Sequence, residues 1–478
     1  MQALMLFAFL TYFTILFFIA LASRFATKIV KKDADWLILG DRSLNFWLTA
    51  MSAHASDMSD WLFMGFPALI FVFGFSKFWA AIGLIIYMFL NWHFIAPKIR
   101  IETVKYKSST LASYFENRFA DHSGILRLTS AVITLVFFTV YIAAGFRGIG
   151  LIFESAFNFN YVLGIFLSVF IVMAYTMIGG FVAIAWTDFF QAMFLLAMII
   201  LVPTVAYFHV GGFFAIKTAV FDKGISLALL PDYSFKSIAG SLLLAFGWGL
   251  GYFGMPHILT KFMGIKNPEE IKKSKYLGIT WQILSLSAAG FVGVVAVAFF
   301  KNKVIEPELI FIEMTKSLFN PFVAGIILCA IFAATISTID SQVLVLASTI
   351  TEDFYKNLFN KKSSQKNLVW TYRIGIVAVC LIAAFISMNR FYTVHDLVTY
   401  AWGGLGSSFS ALVLFALYSK KINKYGAISG MLVGCLIGLI WTPFLNFLIT
   451  SYTILAVIPG FILSLITSWF VSSLTERN

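Results

Sequence analysis

Two carboxylates sit inside a segment apolar enough to cross a bilayer. The stretch from Ser52 to Pro67 reads S-A-H-A-S-D-M-S-D-W-L-F-M-G-F-P, with Asp57 and Asp60, a histidine, three serines and a Gly/Pro pair. A charge at membrane depth costs several kcal/mol unless a cation or hydrogen-bond donors compensate it. An intact helix with its polar face turned to its neighbours would accommodate the serines. Two acids within four residues ask for more, and a broken helix whose freed carbonyls bind a ligand supplies it.

The rest of the chain is built for the same medium. Of 478 residues, 60% are hydrophobic and 12% charged, and the mean hydropathy is +0.90, the profile of an all-α polytopic membrane protein. Hydropathy predicts about 13 transmembrane helices, the first beginning near residue 4 and the last ending near 475. With the N-terminus outside and the C-terminus cytoplasmic, 25 of the 34 Lys and Arg residues fall in inside loops, eight fall outside, and Arg147 lies within a span. The net charge of +12 is therefore topology and not a nucleic-acid footprint. Leu4 to Ala22 lacks a basic lead and a cleavage site, so it reads as a retained helix. Cys329, Cys380 and Cys435 lie in apolar runs and read as core packing. An acidic, amphipathic stretch from Glu306 to Lys316 is placed over the external mouth.

Polarity enters four further spans. Span 4 holds Tyr141 and Arg147, and span 6 holds Thr187 and Asp188. Span 7 contains G-W-G-L-G-Y-F-G-M-P-H, Gly247 to His257, where four glycines and a proline let a helix unwind around Trp248 and Tyr252. Lipid-facing aromatics are the plainer reading of those two rings. In span 9, Ser337, Thr338 and Ser341 share a helix face beside Asp340. Such hydroxyls often just bond back to their own helix. Hard cations, however, take several oxygen ligands, and two hydroxyls facing the carbonyls of a broken helix would supply them. Weakened helices at spans 2 and 7, five spans apart, point to two inverted five-helix repeats with a site at the midplane. The repeats would be residues 46–208 (spans 2–6) and 238–418 (spans 7–11). Residues 1–45 (a first helix and inside loop) and 426–478 (spans 12 and 13) would be peripheral.

The runs A-S-D-M-S-x-W-L-x-M-G-x-P (55–67), F-F-T-V-Y (137–141), I-G-G-F-V-A-I-A-W-T-D (178–188), G-W-G-L-G-Y-F-G-x-P-H-I (247–258), A-A-x-x-S-T-x-D-S-Q (333–342), I-T-E-D-x-Y-K (350–356) and G-A-I-S-G-M-L-V-G (426–434) resemble the sodium:solute symporters, and among these the proline-carrying branch. The resemblance covers nearly the whole chain. It implies a LeuT-like inverted-repeat core preceded by one extra helix, in the cytoplasmic (inner) membrane of a bacterium. Position by position, it implies sodium ligation by the carbonyls of Ala55, Met58 and Ala334 and the hydroxyls of Ser337 and Thr338. Asp57, Ser59 and Arg42 would support sodium, and Tyr141, Trp248, Tyr252 and Pro256 would line the solute pocket. A second sodium, as in some members, would lie among Asp188, Ser337, Asp340 and Ser341.

Four positions depart from the proline branch or stand beside its pocket: His54, Asp60, Met255 and Arg147. Asp60 and Arg147 either neutralise one another or contact a solute more polar than proline. The expected function is inward transport of L-proline with sodium, without an organic cofactor, nucleic acid or an obligatory protein partner. The alternatives are another small solute (an amino acid, a vitamin or an organic acid) or a symporter-like sensor. A membrane enzyme is disfavoured, since no nucleophile–base pair, metal cluster or phosphate loop appears.

Overall fold

The computed structural model describes residues 2–26, 34–301, 303–359, 362–441 and 454–475. The inside-loop residues Lys28, Lys31, Lys32, Lys361 and Arg477 lie outside these. Among the described residues the chain is helical, with one isolated bridge pairing Leu44 with Ile265. Among the described residues, nine single helices are long and apolar enough to cross a membrane, and a pair bent by 69°, Phe46–Met58 and Asp60–Phe73, makes a tenth span. Three shorter apolar helices, Ala3–Ile19, Tyr161–Ala174 and Lys424–Ile440, occupy the positions of spans 1, 5 and 12. Every segment expected from hydropathy thus has a helical counterpart.

Burial sorts the spans. In spans 9 (Pro321–Asn357) and 11 (Val394–Tyr418), 83% of the apolar window is buried, against 28% in span 13 (Val457–Thr475). Span 9 packs on spans 1, 2, 5 and 6, while spans 12 and 13 pack on each other and on span 11. Spans 5 and 6 run on from one another through Gly180, whose left-handed φ of 60° makes the kink. The acidic stretch expected over the external mouth contains a helix, Ile310–Leu318, whose Phe311 ring meets Phe63 at 4.9 Å in span 2.

Both anticipated breaks are present. In span 2 the helix stops at Met58, and Ser59 takes φ 48° and ψ −169° before the chain resumes. A serine with positive φ is strained, and such residues persist only where their surroundings hold them. In span 7 a helix ends at Gly249, a tight turn runs from Leu250 to Gly254, and Met255 is extended before a second half-helix, Pro256–Met263. Proline at the first position of that half-helix has no N–H to lose.

The first half of span 2 begins at Asn45, whose side chain accepts the N–H of Leu48 at 2.9 Å. Asn45→Ala is expected to lower stability by about 1 kcal/mol, read as a fall in the thermal midpoint of the detergent-purified protein, while Asn45→Asp keeps the cap. An unchanged midpoint in the alanine variant would mean that packing alone fixes where span 2 starts.

Candidate functional site

The break in span 2 is answered from span 9. The Ser337 hydroxyl lies 2.9 Å from the carbonyl of Ala55 and 3.0 Å from that of Ala334. Thr338 donates to the Ala334 carbonyl at 3.0 Å and accepts the N–H of Ser59 at 3.0 Å. Met58 closes the first half-helix and is buried. Its carbonyl is among the last four, which have no partner further along the helix. Ala55, Ala334, Ser337 and Thr338 therefore meet at one point, with Met58 and Ser59 on the adjoining turn.

Beside them lies a narrow cavity lined by Asp57, Met58, Trp61, Leu84, Tyr141, Trp248, Tyr252, Val398 and Trp402. The Tyr252 hydroxyl donates to the Asp57 carboxylate and accepts from the Gln282 side-chain amide at 2.9 Å. Rings enclose the space. Trp61 and Trp248 sit 4.6 Å apart, and Tyr252 meets Trp402 edge-on at 5.2 Å. Trp402 also donates to the Trp248 carbonyl at 3.1 Å. Tyr141, Trp248 and Tyr252, three of the residues expected around the solute, line this cavity, and Asp57, expected beside the ion, lines it with them. Pro256 does not: it lines a separate small cavity with Thr134, Thr260, Leu344 and Ser348, because it lies beyond the turn that carries Tyr252.

The remaining charges are arranged differently from the sequence reading. Asp60 and Arg147 form no ion pair. The Asp60 carboxylate lies against Gly148 and neither oxygen has a hydrogen-bond partner, whereas Arg147 reaches Glu308 at 3.9 Å. The guanidinium projects to this loop acid instead of across to span 2. His54 accepts from Trp92 at 3.0 Å and packs between Trp92 and Trp281, and Met255 is the buried residue preceding the second half-helix. None of these four specificity candidates lines the aromatic cavity. Arg42 binds Thr103 at 3.0 Å and the carbonyls of Met263 and Ser108 at 2.8 Å each, fastening the end of span 7 to the loop after span 3.

Nor do Asp188, Ser337, Asp340 and Ser341 close on a common point. Asp188 takes the Lys261 ammonium at 3.1 Å and the Ser52 hydroxyl at 2.5 Å, Asp340 takes Thr176 at 2.8 Å, and Ser337 is turned to Ala55. Lys261, expected in an inside loop, is buried. The sequence reading also missed Gln282, Trp61, Trp402 and Glu308. Gln282, an amide in an apolar span, offered a visible signal; the others look like ordinary interfacial aromatics or loop acids.

The charged patch continues outward from the cavity. Trp61 donates to His395 at 3.2 Å, and the His395 backbone N–H donates to Glu308 at 3.3 Å. Burial pushes the Glu308 carboxyl up to about 7, with Arg147 opposing the shift.

Residues 37–434 match the description of the Sodium:solute symporter family. The chain is 40% identical over 456 residues to the high-affinity proline transporter PutP of Bacillus subtilis (strain 168), covering 95% of each. It is also 40% identical over 476 residues to a sodium/proline symporter of Staphylococcus aureus, covering 98% of this chain and 92% of that one. Among solved structures, a Na+-coupled sialic acid symporter in a substrate-bound outward-open state superposes with a TM-score of 0.83 at 18% identity, over 98% of both chains. That likeness is one of fold.

A carboxyl raised from 4.5 to about 7 stabilises the fold fully below pH 4.5 and loses that contribution as pH rises through 7. Over that window the thermal midpoint of the native chain should fall relative to Glu308→Gln. Parallel midpoint-against-pH curves for the two proteins would show that Glu308 is solvated.

Proposed function

We propose that this chain, a transporter that belongs to the sodium:solute symporter family, carries L-proline inward together with sodium by alternating access. It is a multi-pass membrane protein and not an enzyme. The observation carrying the proposal is the meeting of the span 9 hydroxyls with the span 2 break, one residue from an aromatic cavity. Ser337 and Thr338 now spend their hydrogens on the Ala55 and Ala334 carbonyls. Rotating those hydroxyls turns four oxygens toward a common cation, with the Met58 carbonyl adjacent. Two hydroxyls and three carbonyls carry no formal charge, which suits a weakly held ion that must also leave.

The solute pocket in this reading is the aromatic cavity. An amino-acid ring packs on Trp248 and Tyr252, and its carboxylate meets backbone N–H groups at a half-helix start. Residues 46–208 and 238–418 are the two inverted repeats, and their relative rocking exposes the pocket to each side in turn. The membrane is the bacterial inner membrane, with the N-terminus outside. Each sodium crossing 100 mV supplies about 2.3 kcal/mol. A tenfold gradient adds about 1.4 kcal/mol, so one ion sustains roughly 500-fold accumulation. Two relatives known as proline transporters, those of Bacillus subtilis and Staphylococcus aureus, support the choice of solute. A second reading, in which another small solute (a different amino acid, a vitamin or an organic acid) is carried, keeps Asp60 in view because its two buried oxygens have no partner, although it lies outside the aromatic cavity.

Radiolabelled proline uptake into proteoliposomes, with an inward sodium gradient and with potassium in its place, tests the proposal. Accumulation that requires sodium is expected, and sodium-dependent thermal protection by some other solute without proline uptake would favour the second reading. Ser337→Ala and Thr338→Ala should each raise the sodium concentration for half-maximal uptake about tenfold, as ~1.4 kcal/mol of lost ligation implies. Unchanged sodium dependence in both would remove span 9 from the ion site. Trp248→Ala should weaken apparent proline affinity more than sodium affinity; the reverse order would place the pocket elsewhere.

A further inference from the structure

Tyr252 sits in the tight turn that breaks span 7, and three other spans meet on it. Its hydroxyl donates to the Asp57 carboxylate of span 2 and accepts from the Gln282 side-chain amide of span 8 (Ile271–Phe299) at 2.9 Å. Its backbone carbonyl accepts from the Asn91 side-chain amide of span 3 at 3.0 Å. Gln282 and Asn91 are both fully buried, and both amides are half-used. Their side-chain carbonyl oxygens have no hydrogen-bond partner among the described residues. A buried polar atom left in that state costs about 1–3 kcal/mol, a cost that an apolar side chain in the same space would avoid. What each amide contributes is a donor, and both donors go to the same tyrosine.

We infer that Gln282 is a positioning residue for transport: its N–H commits the Tyr252 hydroxyl to Asp57, and so holds in one arrangement the ring that walls the solute cavity and the carboxylate beside the span 2 break. This rests on the aromatic cavity being the solute pocket, as proposed above. The direction of the bonds follows from the groups themselves. A carboxylate only accepts, and a tyrosine hydroxyl has one hydrogen to give. That hydrogen goes to Asp57, so the group on the other side of the hydroxyl has to donate. A glutamine amide does this without adding charge. An apolar residue there would leave the hydroxyl without its donor and the ring less fixed, and an acid would compete with Asp57 for the hydrogen. Gln282 does not line the cavity, so its influence passes through Tyr252. Tyr252 meets Trp402 edge-on at 5.2 Å, and Trp402 donates to the Trp248 carbonyl at 3.1 Å, so a tilt of the one ring reaches the opposite wall.

A double-mutant cycle tests the route, because residues that act through one another are not additive. The readout is equilibrium binding of radiolabelled L-proline to the purified full chain in saturating sodium, for the wild type, Gln282→Met, Tyr252→Phe and the double variant. Methionine keeps the length of the side chain without its donor, and phenylalanine keeps the ring without its hydroxyl. In the native background Gln282→Met should weaken proline binding roughly fivefold, the worth of one hydrogen bond. In the Tyr252→Phe background the same substitution should change binding by less than about twofold. Equal losses in both backgrounds, or no loss in either, would overturn the inference, since a residue that only fills space in span 8 is indifferent to the hydroxyl. If Gln282→Met does not fold, Gln282→Asn, which keeps an amide but draws it back from the hydroxyl, takes its place under the same criteria. Wild-type protein that binds no proline would remove the proline reading and not the inference. In that case, or if Tyr252→Phe abolishes proline binding, the cycle is read on the sodium concentration that gives half-maximal thermal protection. A shift confined to the background that keeps the hydroxyl sustains the inference there, and an equal shift in both, or none, overturns it.

Discussion

The hydroxyls of Ser337 and Thr338 hold together a helix that the bilayer would otherwise not tolerate broken. Inside a membrane every backbone polar group must find a partner within the protein, so a break is permitted only where another element answers it. Span 9 does so at the end of the first half-helix, accepting the Ser59 N–H through Thr338 and covering the Ala55 carbonyl through Ser337. The strained φ of Ser59 follows from the same contact. The 69° bend between the halves then turns Asp57 and Met58 toward span 7 and leaves Phe63 against the helix Ile310–Leu318.

The buried acids near the site are neutralised in different ways, and the differences separate their roles. Asp57 has only a neutral hydroxyl from Tyr252, itself held by Gln282. Asp188 is paired by a fixed ammonium. Asp353, at the far end of span 9, is taken by Arg127 at 2.6 Å and Thr110 at 2.9 Å, which ties down the C-terminal end of the span. Asp60 has none of these partners and lies against Gly148 next to Arg147. A transporter needs both kinds of acid: those permanently satisfied brace the scaffold, and those lightly satisfied respond to ligands.

What the sequence disclosed follows from how locally each feature is encoded. Helical segments need only a run of apolar residues, and all were found. The break in span 2 was legible because serines, acids and a Gly/Pro pair crowd into one stretch, and that in span 7 because glycines do. The partners of the acids were not legible. Tyr252 lies 195 positions from Asp57, and nothing in either neighbourhood records the contact. Lys261 was concealed by its place near an inside loop, where basic residues are the rule. Arg147 and Asp60 seemed complementary, yet the guanidinium found Glu308, an acid in a loop where acids draw no notice. Pro256 belongs to the aromatic segment in sequence, but the extended Met255 separates it from the cavity in space.

Coupling between ion and solute, in the reading proposed for spans 2, 7 and 9, needs no long relay. Met58 ends the half-helix at the ion cage and lines the aromatic cavity, and Asp57 lines it as well. Ser59, one peptide further on, is held by Thr338. Any ion that draws the carbonyls of Ala55 and Met58 toward Ser337 and Thr338 must therefore set the orientation of Asp57 and, through Tyr252, the wall formed by Trp248 and Trp402. The two ligands share a single turn of backbone, so neither can bind without shaping the place of the other. Linkage makes that influence mutual: whatever sodium adds to solute affinity, the solute returns to sodium.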